Sequence, residues 1–165
     1  RRYYVWELTF RLGGRGLTAP WAFTDRGVAP ATIWQLKTTN LPPSLVMAVD
    51  TDPSDNSKVA LNFDIRLDPA RPAVRIADIG GLDPSADTQI RIEAFLDERP
   101  ASSGDGFLRL WVNGRQLIDR RGPVLQLQAT FPYHWSLAMY LYNCAAPLHL
   151  DRFVYWRTAR MLSEN

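Results

Sequence analysis

Apolar and polar residues alternate along most of this chain with a period of two. In YYVWELTFRL (3–12), Tyr4, Trp6, Leu8, Phe10 and Leu12 fall on one side. In KVALNFDIRL (58–67), Val59, Leu61, Phe63, Ile65 and Leu67 oppose Lys58, Ala60, Asn62, Asp64 and Arg66. TQIRIEAFL (88–96) sets Ile90, Ile92, Ala94 and Leu96 against Arg91, Glu93 and Phe95. FLRLWV (107–112) sets Leu108, Leu110 and Val112 against Phe107, Arg109 and Trp111. WSLAMYLYN (135–143) divides Trp135, Leu137, Met139 and Leu141 from Ser136, Ala138, Tyr140 and Tyr142. Successive side chains of a strand point to opposite faces, so each segment predicts a strand with one buried face. LHLDRFVYWRTA (148–159) supplies a last strand, and 31–38, 44–50 and 73–78 supply shorter ones.

Turn signals punctuate these segments at Gly13-Gly14, Pro42-Pro43, Asp52-Pro53, Asp68-Pro69, Gly80-Gly81, Asp83-Pro84, Ser103-Gly104 and Asn113-Gly114. Asn113-Gly114 joins two alternating arms. Both central residues of a type I′ turn need positive φ, so this dipeptide predicts a tight hairpin. No stretch carries a helical period. Many short strands with frequent turns predict an all-β, antiparallel sandwich of jelly-roll type. The expected loops are 13–30, 50–57, 97–106 and 119–133. At 165 residues the chain is read as one domain, long enough to bury a core.

Charge narrows the function classes. The formal net charge is +2, too small to argue for nucleic acid by bulk electrostatics. No apolar run reaches the roughly 20 residues of a membrane helix. Of the 19 basic residues only Lys37 and Lys58 are lysine. Arginine offers a planar fork suited to carboxylate, sulfate or phosphate, although a GC-rich genome produces the same bias. The one cysteine, Cys144, has no internal disulfide partner and lies in the apolar run YLYNCAAPL, as a buried small hydrophobe would. Two histidines and one cysteine argue against zinc. The chain begins at Arg1 without a signal-peptide pattern, so a processed product or one segment of something larger is expected.

GFLRLWVNGRQLIDRRGP (106–123) resembles a segment of concanavalin A-like jelly rolls of the polysaccharide lyase type, heparin lyase I-like and alginate lyase-like enzymes among them. YYVWELTF is similar to the aromatic early strand of that family. TIWQLKTTNLPPSL resembles its W-Q-x-H … P-P-x-L stretch, and LAMYLYN followed by LHLDRF its late Y-x-K-x-G-x-Y strand and final strand. The resemblance implies a concanavalin A-like fold and cleavage of acidic polysaccharide by β-elimination. In that reaction a base takes the proton α to a uronate carboxylate, a polar group neutralises the carboxylate, and a Tyr serves the leaving oxygen. The resemblance implies Gln35 as neutraliser and Tyr142 as acid or base. It departs from the family at Lys37, where a His is expected, at Ala138, where a Lys is expected, and at Tyr140, where a Gly is expected. Lys37 serves as a base only with a strongly lowered pKa; otherwise it binds an anion.

The candidate catalytic set is therefore Gln35, Lys37 and Tyr142, and the alternative is a solvated outer face. Arg66, Arg91, Glu93, Arg109, Trp111 and Tyr140, with Tyr142, are expected to share the concave sheet face as glycan contacts. Flat rings cover sugar C–H faces, while guanidinium and carboxylate groups take hydroxyls; cross-strand ion pairing explains the same residues without a ligand. DTDPSDNS (50–57) gathers Asp50, Asp52 and Asp55 as candidate ligands of a structural Ca²⁺, or forms a plain Asp/Pro/Ser turn. No other cofactor is expected. Trp6, Trp34 and Trp135 are expected in the core, and Trp21, Trp111 and Trp156 at the surface. The preferred reading is a glycan-recognising domain for acidic polysaccharide, extracellular, cell-surface or virion-borne. An active lyase is one alternative. A structural or assembly module with protein partners, as in a virion or surface complex, is another.

Overall fold

A computed structural model describes residues 2–13, 31–38, 41–96, 106–126, 133–141 and 153–164. These form ten strands: β1 (Arg2–Gly13), β2 (Ala31–Thr38), β3 (Leu45–Thr51), β4 (Val59–Ile65), β5 (Val74–Leu82), β6 (Thr88–Leu96), β7 (Phe107–Val112), β8 (Arg115–Arg121), β9 (Tyr133–Leu141) and β10 (Phe153–Glu164). All strand pairs are antiparallel. One five-stranded sheet has the order β10-β1-β6-β7-β8, and the other β5-β4-β3-β2-β9. We call them sheets A and B. The fold is the expected all-β jelly-roll sandwich.

Alternation builds the core. Trp6, Leu8, Phe10, Ile92 and Leu110 of sheet A meet Trp34, Met47, Leu61 and Phe63 of sheet B in one apolar cluster. Trp6 and Trp34 bridge the sheets edge to face, with centroids 5.6 Å apart. Tyr4 stacks on Trp6 at 5.4 Å. Trp135 is partly buried against the core as expected, but so is Trp156, which stands 5.2 Å from Phe10. Trp156 was expected at the surface; its strand β10 pairs with β1, and that turns the ring toward Phe10.

The Asn113-Gly114 hairpin forms as predicted, with φ of 48° and 78°. Asn113 also ties the turn to β6. Its Oδ1 accepts from the Gln89 N–H at 2.8 Å, and its N–H donates to the Gln89 carbonyl at 2.8 Å. A second expected turn departs from expectation. Gly80-Gly81 lies inside β5, in a bulge opposite Val59–Leu61, with Gly81 at φ 71°. An extra residue in one strand needs the positive φ that glycine supplies. The described part of the last strand runs past the predicted Ala159 to Glu164, because β1 offers partners from Gly13 back to Tyr3.

A second bulge shapes β2. Its register slips between Thr32 and Trp34, so Ile33 and Trp34 are both buried in the core. The slip re-phases the strand, and Thr32, Gln35 and Lys37 then share the outer face of sheet B.

Candidate functional site

Gln35 lies in the middle of a cross-sheet row. Its partners are Val46 on β3 and Ser136 on β9, and Val46 leads on to Asp64 and Arg75. Only 5% of Gln35 is exposed, and its Nε2 donates to Ser136 Oγ at 3.1 Å. At the far end of the row the Arg75 guanidinium holds Asp64 at 2.5 Å. One step along β2, half-buried Lys37 pairs with exposed His134 of β9. Side chains directly opposite across strands are neighbours, with Cβ atoms about 4.5–5.5 Å apart. Among the described residues no carboxylate lies within ion-pair distance of Lys37. Buried Thr32 and Asn62 extend the face, with Ala48 between them in the register.

His134 was not among the sequence candidates. The signal was present: it precedes Ser136 by two in the alternating β9 segment, on the side away from Trp135. Tyr142 lies outside the described residues. Tyr140 pairs with Thr32 in the β2–β9 register and so belongs to the same sheet as Gln35 and Lys37.

Four of the remaining candidates do not share that sheet. Arg91 and Glu93 are on β6, and Arg109 and Trp111 on β7, both in sheet A. Alternation within each strand is as predicted, but the two faces lie on opposite sides of the sandwich. Arg91 pairs with Trp111 and Glu93 with Arg109 in the register. Arg91 donates through Nε and Nη2 to Glu93 Oε1, at 2.9 and 2.7 Å, and through Nη1 to Glu7 at 2.8 Å. Hydrogen bonds donated to the Glu93 carboxylate hold the Arg91 pKa above the usual guanidinium value. Arg160 of β10 binds the other oxygen of Glu7. Arg109 lies 3.2 Å from Asp119 and 3.8 Å from Glu93, over the Phe107 ring. The arginines form a cross-strand ion network. Arg66 is apart from both groups, where β4 ends, with Nη1 donating to the Arg71 carbonyl at 2.8 Å.

The aspartates of 50–57 turn toward their own loop. Asp52 Oδ1 accepts from the Ser54 N–H at 2.8 Å and hydroxyl at 2.5 Å, and Oδ2 accepts from the Gly81 N–H. Asp55 Oδ1 accepts from the Ser57 N–H at 2.9 Å and hydroxyl at 2.7 Å, and Asp50 Oδ1 from the Thr51 N–H at 2.7 Å. Among the described residues no three His, Cys, Asp or Glu side chains are grouped to hold a metal ion. Asp50, Asp52 and Asp55 thus do not converge as a Ca²⁺ set; local N–H and hydroxyl donors occupy their oxygens.

No family model and no curated protein matches the chain. Solved structures do. Alginate lyase Aly36B, in a variant bound to alginate trisaccharide, is similar with a TM-score of 0.64 at 8% identity, over 99% of this chain and 71% of that one. An endo-β-1,4-glucuronan lyase from Trichoderma reesei is similar with a TM-score of 0.59 at 11% identity, over 96% and 67%. An alginate lyase from Alteromonas sp.272 gives 0.53 at 10%, over 99% and 72%. The chain has a polysaccharide-lyase-type jelly roll. Within that lyase-type fold, sheet B presents Gln35 and Lys37, and sheet A presents the ion network.

Proposed function

We propose that this lyase-type jelly roll binds an acidic polysaccharide across the outer face of sheet B. The observation that carries the reading is Lys37, the half-buried ammonium with no carboxylate partner among the described residues, next to the Gln35 amide. On sheet A, by contrast, Arg91, Arg109 and Arg160 are each neutralised by Glu or Asp. A uronate carboxylate supplies the counter-charge that no described residue gives Lys37, and the amide and hydroxyl groups of Gln35, Ser136 and Asn62 suit sugar oxygens. The fold similarity supports a saccharide ligand, because the structural neighbours are alginate and glucuronan lyases.

The test is binding of alginate and polyglucuronate, set against a neutral glucan, by wild type and Lys37→Ala. Tighter binding of the polyuronates, weakened about tenfold or more by the substitution, supports the reading. No binding of either polyuronate, or polyuronate binding that Lys37→Ala leaves unchanged, overturns it.

β-Elimination is the second reading, favoured by the imidazole of His134 beside Lys37. The His134 imidazole takes the proton α to the carboxylate, Gln35 and Lys37 stabilise the carbanion, and the electron pair expels the β oxygen as an alkoxide that is protonated. An ultraviolet-absorbing unsaturated uronate that disappears in His134→Ala supports this; no absorbance with any polyuronate overturns it.

A further inference from the structure

The outer face of sheet A carries a trough on the side of the sandwich opposite Lys37. Its volume is about 560 Å³, within the usual range of small-molecule sites. Strand register explains its shape. One row across the sheet is long-chained: Arg160, Glu7, Arg91 and Trp111 on β10, β1, β6 and β7. The next row is short: Thr158, Thr9 and Gln89, ending at Gly114, which has no side chain. The step between the rows is the trough, and Trp111 closes one end. From β10 to β7 it crosses three strand spacings, about 14 Å.

Charge and chemistry select the ligand. Arg91, Arg109 and Arg160 face Glu7, Glu93 and Asp119 in one network, three cations against three anions. In the wall itself Arg91 and Arg160 share Glu7, and Arg91 also holds Glu93 behind it, so both guanidinium groups are already paired and offer little further attraction to an ion. The wall does offer fixed hydrogen-bonding groups. Bonds to described carboxylates occupy three of the five N–H donors of Arg91 and hold the guanidinium in place, which reduces the ordering cost of binding. Thr9, Thr158 and Gln89 add groups that both donate and accept. A half-buried indole beside balanced donors and acceptors suits a ligand with flat C–H faces and many hydroxyls.

We infer that this trough is a second saccharide site, for a neutral oligosaccharide that lays a sugar ring on Trp111. It is separate from the sheet B face and does not depend on that face binding anything.

The experiment follows indole N–H resonances of the full chain during titration with cellotetraose, with Trp111 assigned from Trp111→Phe. The expected result is a saturable shift of the Trp111 resonance that persists in Lys37→Ala. Thr9→Arg, which fills the trough from an outward position, is expected to weaken the response about tenfold or more. A Trp111 resonance that does not move, or that moves equally in Thr9→Arg, overturns the inference. An acidic tetrasaccharide in a parallel titration separates the faces: its binding is expected to fall in Lys37→Ala and not in Thr9→Arg. An acidic ligand that displaces the neutral one from Trp111 also overturns the assignment.

Discussion

At Gly106 the chain has no room for a methyl group. A Cβ there would lie 2.6 Å from the Gly122 carbonyl oxygen and 3.1 Å from that of Phe95. Both are backbone atoms, so relief requires strands to move. Gly106→Ala is expected to destabilise the protein by about 1–3 kcal/mol, measured by urea unfolding. At Gly114 space is open but φ is 78°, so Gly114→Ala costs conformational strain instead, about 1–2 kcal/mol by the same measurement. The turn aspartates respond to acid. Hydroxyl and N–H donors of Ser54, Ser57 and Ser85 hold Asp52, Asp55 and Asp83 below the ordinary value of 3.8. A lowered folded-state pKa means the unfolded chain takes up protons first. The stabilisation is complete above the unfolded pKa and is lost as pH falls through the folded values. Acid unfolding is therefore expected below about pH 4, and Asp52→Asn is expected to flatten that dependence in melting curves taken across the acid range.

At the scale of elements, one turn chemistry recurs. In Asp52-Pro53-Ser54, Asp55-Asn56-Ser57, Asp68-Pro69-Ala70 and Asp83-Pro84-Ser85 the Asp Oδ1 accepts the N–H two residues on. These turns were legible because the Asp side chain and its donor are local. Strand positions were legible for the same reason, since alternation is a property of each segment alone. Three things were not local. Gly80-Gly81 reads as a turn until Asp52 is seen across the bulge, accepting the Gly81 N–H. The grouping of Arg91, Glu93, Arg109 and Trp111 with Tyr140 on one face failed because alternation says which residues of one strand share a face, and says nothing of which strands share a sheet. His134 was passed over because its significance lies in its cross-strand partner, Lys37. The β7–β8 turn tests the link between local and distant bonds. Asn113→Ala removes both the residue that tolerates positive φ and the acceptor for Gln89, so it is expected to raise amide exchange at Gln89, whereas Asn113→Asp retains the acceptor and protection.

Across the whole molecule, Trp6 and Trp34 join the two sheets, and both are about 1% exposed. Their indole N–H groups are buried without a partner among the described residues. Trp34→Ala is expected to cost about 3–5 kcal/mol through lost packing and the cavity left behind. Trp34→Phe is expected to cost far less, because Phe keeps an aromatic ring in the site and leaves a smaller cavity, while both variants remove the unpartnered indole N–H. Calorimetric melting of the two variants checks the difference. The sandwich also separates two kinds of electrostatics, an ammonium with no carboxylate partner among the described residues on one face and a balanced ion network on the other. Dissolved salt screens exposed charges over about 8 Å at physiological ionic strength. Added sodium chloride should therefore loosen an anionic ligand held at Lys37 and leave a neutral ligand at Trp111 nearly untouched, so that ionic strength alone chooses which side of the molecule is occupied.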